Sequence, residues 1–171
     1  MINEIVNKVA ESGLITLDLE TYYPKDTIKN FDLKDFLFMG LILKEKDYRT
    51  ALQAIDWARY NNCNVAITCT ADAIVPVWAY MLAAVYLEPV ANEIFFGTEQ
   101  QLIESIILKR IEKIDINEFI EKRVVVKGCG ETPIPEVAYV AITAKLRSVA
   151  KSIMYGEPCS TVPIYKKPVV R

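Results

Sequence analysis

Between residues 64 and 151 short apolar runs alternate with longer helical patterns, and this alternation limits the fold more than any other feature. Asn64–Thr68, Glu93–Phe96 and Arg123–Lys127 are short and rich in β-branched or aromatic residues, as strands are. Each is followed by a helical pattern. The first is Ala73–Leu87. The second carries Leu102, Ile103, Ile106, Ile107 and Ile111 on one face and opens with the capping box Thr98-Glu99-Gln100-Gln101. The third runs from Pro135 to about Lys151. Strands that alternate with helices predict parallel β-α units, so the expected class is α/β, with a mixed or mainly parallel sheet flanked by helices. At 171 residues and 52% hydrophobic, the chain suits one ordinary core. We expect a single domain over 1–171, with its β-α core at 64–151 and a C-terminal tail at 156–171. No internal repeat is visible.

The first sixty residues are less regular. Ile2–Ser12 has helical spacing, and Leu14–Glu20 ends in the alternation of a half-exposed strand. On such a strand Asp18 and Glu20 share a side. Tyr22-Tyr23-Pro24 reads as loop. Residues 31–43 fit either a strand or a helix, Lys44–Tyr60 reads as one helix, and Ser152–Tyr155 as a last strand. Asp72 is the expected N-cap of Ala73–Leu87, with Pro76 in the first turn.

The Ala73–Leu87 helix is uncharged throughout, yet at about 22 Å it falls short of the roughly 30 Å hydrocarbon core. It is expected to be buried. Being apolar on every side, it needs cover beyond its sheet face, either from the N-terminal elements or from a second copy. In the second case Trp78, Tyr80, Met81 and Tyr86 are the expected anchors of a homodimer. The start of the chain has no basic segment followed by an apolar one, so the expected location is the cytoplasm.

The chain has no His, which excludes imidazole catalysis, Ser-His-Asp and Cys-His nucleophiles and His metal ligands. A net charge of -2, with no phosphate-binding loop, gives no support to nucleic-acid or membrane partners. Chemistry is then left to Cys, carboxylates, Lys, Tyr or a cofactor. Parallel sheets bind ligands beyond the carboxyl ends of their strands. Cys69 follows the first strand of the regular series, Cys129 follows the third, and Cys159 follows the last. Thiolates there suit zinc or an iron–sulfur cluster, with Asp72, Glu131 or a partner group in the fourth position. Gly128 and Gly130 let the backbone approach a cofactor closely. Equally, a Cys is at home as a small buried hydrophobe, and Cys63 is read that way. Ser160-Thr161 offer hydroxyls to an anion, while Lys166, Lys167 and Arg171 read as a solvated tail.

Asp35-Phe36-Leu37-Phe38-Met39-Gly40-Leu41-Ile42-Leu43-Lys44-Glu45-Lys46-Asp47, Thr68-Cys69-Thr70-Ala71-Asp72-Ala73-Ile74-Val75-Pro76, Lys127-Gly128-Cys129 and the stretch Ser152 to Pro163 resemble the bacterial family called domain of unknown function 2480. The resemblance covers nearly the whole chain and implies no defined activity. It implies an association with iron–sulfur cluster assembly, and hence assembly proteins as partners.

Three functions follow as expectations. The first is an accessory protein holding a metal or cluster through Cys69, Cys129 and Cys159. The second is a thiol enzyme with Cys129 as nucleophile and Lys127 or Lys151 lowering its pKa. The third is a non-catalytic homo-oligomeric interaction protein with structural cysteines.

Overall fold

The computed structural model describes residues 14–128 and 130–168, so the expected helix at Ile2–Ser12 lies outside the described residues. The elements are β1 (Leu14–Asp18), β2 (Ile28–Asp32), the short β3 (Leu37–Phe38) and β4 (Ile42–Leu43), α1 (Glu45–Ala54), β5 (Asn64–Thr68), α2 (Val77–Leu87), β6 (Glu93–Phe96), α3 (Glu99–Glu112), β7 (Arg123–Lys127), α4 (Glu136–Leu146), β8 (Ser152–Glu157) and β9 (Ser160–Lys166). The class is α/β. The regular series is divided between two sheets, one in the order β2-β5-β6 and one in the order β1-β7-β8-β9, and β3-β4 form a separate hairpin. All pairings in the two larger sheets are parallel except β8-β9.

The chain forms two compact units. One is contiguous, Pro24–Ser105. The other is split in sequence and joins the segment up to Tyr23 to everything from Ile106 onward. In the contiguous unit, Phe31, Leu33, Tyr48, Leu52, Val65, Ile67, Ala79, Ala83 and Leu87 form the core. Trp57 stacks on Phe31 at 5.6 Å and on Tyr86 at 5.0 Å. In the split unit, Leu17, Leu19, Val124, Val125, Ile142, Leu146 and Ile153 are buried.

The two units repeat one plan, which corrects the expectation of no repeat. Shifting the sequence by 59 positions pairs Asp56 with Asp115, Pro76 with Pro135, Ala79-Tyr80 with Ala138-Tyr139, Leu87 with Leu146 and Gly97 with Gly156. The backbone follows the same shift. Asn62 and Glu121 both have positive φ, at 57° and 55°, and so do Gly97 and Gly156. The Asn62 N–H donates to the Val90 carbonyl, as the Glu121 N–H does to Val149. The first strand of each unit comes from a separate tandem pair, β1 and β2. Both end in an Asp, and Asp18 and Asp32 each accept the N–H two residues on to start a 3-10 turn. The repeat escapes a reading of the sequence because matched positions share burial more than identity: Tyr48 and Leu52 correspond to Ile107 and Ile111.

Several boundaries differ from expectation, each for a local reason. β1 stops at Asp18, whose carboxylate accepts the Glu20 N–H and turns the chain, so Asp18 and Glu20 do not share a strand face. Residues 31–43 divide into the end of β2, a 3-10 turn and the hairpin. Lys44–Tyr60 breaks after Ala54, and Asp56 caps a separate 3-10 turn, Trp57–Tyr60. α2 begins at Val77 with Pro76 as its N-cap residue, so Asp72 is not its cap. A proline disfavours helical φ/ψ in the residue before it, which bars a start upstream of Pro76. Pro135 does the same for α4, which ends at Leu146 and not near Lys151. The expected tail is largely strand, β9, antiparallel to β8. On α2, Trp78, Tyr80 and Tyr86 pack against the core and are not outer anchors. The outward row is Val77, Met81 and Val85, 74%, 64% and 67% exposed.

Candidate functional site at the strand ends

The same place in both units gathers polar groups: the carboxyl ends of the first two strands. In the contiguous unit the Asp32 side chain is buried to 8% exposure. It accepts from the Lys34 N–H at 3.0 Å, from the Thr70 N–H at 3.0 Å and from Thr70 Oγ1 at 2.5 Å. Burial pushes its carboxyl up, and the hydrogen bonds from Thr70 and Lys34 together outweigh that, leaving it below its ordinary 3.8. Cys69 stands one residue past β5, half-buried, with Ala71 O at 3.8 Å from its sulfur. Tyr80 is pushed up by burial, with the Cys69 and Asp32 charges adding to the effect. Asp72 is exposed.

In the split unit, Lys127 ends β7 and lies 3.3 Å from Glu157 and 4.0 Å from Asp18. Its hydrogen bond to Glu157, ahead of the carboxylate charges, holds its ammonium pKa above the ordinary value. Gly128 and Gly130 are closely approached by side-chain ends. A Cβ on Gly128 would stand 2.4 Å from Tyr139 Oη, and one on Gly130 2.0 Å from Glu20 Oε1. The close approach expected of these glycines is thus to the chain's own side chains. Tyr139 Oη donates to the Gly128 carbonyl at 2.9 Å, and Glu20 Oε1 accepts the Gly130 N–H at 2.6 Å. Beside this loop lies a cavity of about 460 Å³, lined by Val126, Ile134, Glu136, Tyr139, Met154 and Tyr155 among others.

Of the expected metal ligands, Cys69 and Asp72 belong to the contiguous unit and Cys159 to the split unit, exposed in the β8-β9 turn; Cys129 lies outside the described residues. Among the described residues, no group of three or more His, Cys, Asp or Glu side chains is placed to hold a metal ion. Cys63 is buried, as expected. Ser160 and Thr161 open β9, Tyr22 and Tyr23 give their carbonyls to Arg110, and Glu131 is exposed. Lys151 precedes β8 at its amino end. Lys127 already serves two carboxylates.

The family model for proteins of unknown function, DUF2480, matches residues 3–167. The chain belongs to this family. No curated protein and no solved structure matches it. Among the described residues of this DUF2480 protein, no helix is long and apolar enough to cross a membrane. What sequence reasoning missed here is the pairing of Asp32 with Thr70 and of Glu20 with Gly130. Each joins residues far apart in the chain, and only strand register brings them together.

Proposed function

We propose that this DUF2480 protein is a cytoplasmic accessory protein that holds a soft metal ion or an iron–sulfur species through thiolates, with Cys129 and Cys159 as its principal ligands. One observation carries the reading. β7 and β8 are adjacent and parallel, and Cys129 and Cys159 are each the second residue past the end of their strand. The Lys127–Glu157 ion pair ties those two ends together. Two thiolates with open positions suit a metal that is handed on to a partner better than one held permanently in a closed four-ligand site. Cys69 is a separate thiol of the other unit. Anaerobic purification with iron and zinc analysis and an absorption spectrum tests the reading. Metal is expected in the wild type and lost in C129S/C159S, with C63S unchanged. A wild type without iron or zinc after anaerobic reconstitution overturns it. A single Cys129 that alkylates well below pH 8.5, unprotected by metal, favours a thiol enzyme instead.

A second reading, self-association, rests on the apolar row Val77, Met81 and Val85, which points outward from α2. Light scattering of M81E/V85E should then report a smaller particle than the wild type. A wild-type monomer at all concentrations removes this reading.

A further inference from the structure

The end of the split unit's sheet opposite the Cys159 turn carries a second feature. β7, β8 and β9 place Arg123, Ser152 and Lys166 side by side in one row across the sheet. Lys151 just precedes β8 and Lys167 just follows β9, joined by the Lys167 N–H donating to the Lys151 carbonyl at 2.9 Å. These cations line a cavity of about 380 Å³ whose wall includes Tyr165, Met154 and Pro163. Glu121 engages Lys167. Arg123, Lys151 and Lys166 have no ion pair among the described residues.

Arg123 and Lys166 flank Ser152 in that row and Lys151 adjoins it, so like charges gather at one exposed edge and attract an anion there. The fold does not require them. At the matching positions of the contiguous unit, 59 residues earlier, stand Asn64, Asn92 and Glu93 in place of Arg123, Lys151 and Ser152, and Lys166 has no counterpart. The chain as a whole is net acidic, so this concentration of positive charge is local.

We propose that this cavity is a binding site for a small phosphate-bearing molecule. Arg123, Lys151 and Lys166 would take the phosphate oxygens by charge-assisted hydrogen bonds, and Tyr165, Met154 and Pro163 would support the body of the ligand. The size and the apolar wall favour a small molecule over an extended polyanion. The site is independent of the thiols, so a metal-free protein leaves this proposal standing.

Isothermal titration of the full chain with AMP and with pyrophosphate tests it, with adenosine, a single-stranded oligonucleotide and phosphatidylglycerol vesicles as comparisons. Saturable, submillimolar binding of AMP or pyrophosphate is expected, with none for adenosine. K151Q/K166Q should weaken it by roughly tenfold or more, and K25Q should leave it unchanged. Both changes of the double variant are at exposed side chains, and an unchanged melting curve verifies its fold. R123Q gives a second, separate loss. The proposal is overturned if neither phosphate binds by millimolar concentration, or if K151Q/K166Q binds as the wild type does. Binding only to the oligonucleotide or the vesicles overturns it as well.

Discussion

Asp32 ties together the strand ends of the contiguous unit. Its carboxylate closes a turn through Lys34 and ties β2 to the loop after β5 through Thr70. Replacing it with Ala should cost about 1–2 kcal/mol at pH 7, from the lost cap and the stranded Thr70 donors. Because its folded pKa lies below 3.8, the charge contributes in full above that value and its contribution fades as pH falls through the lower folded value. Urea unfolding of wild type and D32A should therefore converge as pH is lowered past 3.8, and a constant gap would contradict the assignment. Glycines make a second contrast. G128A drives a Cβ against the Tyr139 hydroxyl and should cost about 1–3 kcal/mol. G40A meets open space and only a φ of +72°, so about 1 kcal/mol is expected in the same assay. Equal losses would mean that Tyr139 yields freely.

At the scale of elements, the repeat makes α2 and α4 equivalent. Leu87 and Leu146 hold matched positions, each fully buried. L87A and L146A should each cost about 2–5 kcal/mol, through lost transfer energy and the cavity left behind. Denaturant midpoints of the two variants measure this, and a negligible loss in one alone would break the equivalence. The helices differ on their outward faces. Val77 and Met81 correspond to Glu136 and Val140, and the split unit also has β9 beside β8, where Arg147 stacks on Tyr165 at 3.9 Å. The contiguous unit ends its sheet at β6. One plan therefore carries two different edges.

At the scale of the whole molecule, one unit is continuous in sequence and the other is not. A fragment of residues 24–105 keeps its three-stranded sheet, the β3-β4 hairpin and its own core, so it should melt cooperatively by circular dichroism. Residues 106–171 alone lack β1, whose Leu17 and the following Leu19 are buried, and should fold only when a peptide covering 14–23 is supplied. Folding of 106–171 without the peptide would show that β1 is dispensable. Much of the architecture was legible beforehand. The strands Asn64–Thr68, Glu93–Phe96 and Arg123–Lys127 were readable to the residue, because a short β-branched or aromatic run next to turn residues is a local signal. The Thr98–Gln101 box was readable for the same reason, and its two hydrogen bonds form as expected. The strand composition of β9 was hidden because Pro163 and its polar flanks read as a tail, and pairing with β8 supplies what local propensity does not. The partition of one strand–helix series into two sheets was beyond any local signal. Sequence patterning states which face of an element is apolar, while the choice of partner depends on contacts between residues as distant as Leu14 and Arg123. The same limit applies to function. The sequence alone determined which chemistry is open to a chain with no His and four Cys. Only tertiary structure decided that Gly128 and Gly130 make room for Tyr139 and Glu20, and that Arg123, Lys151 and Lys166 meet at one cavity, because strand register sets which distant side chains become neighbours.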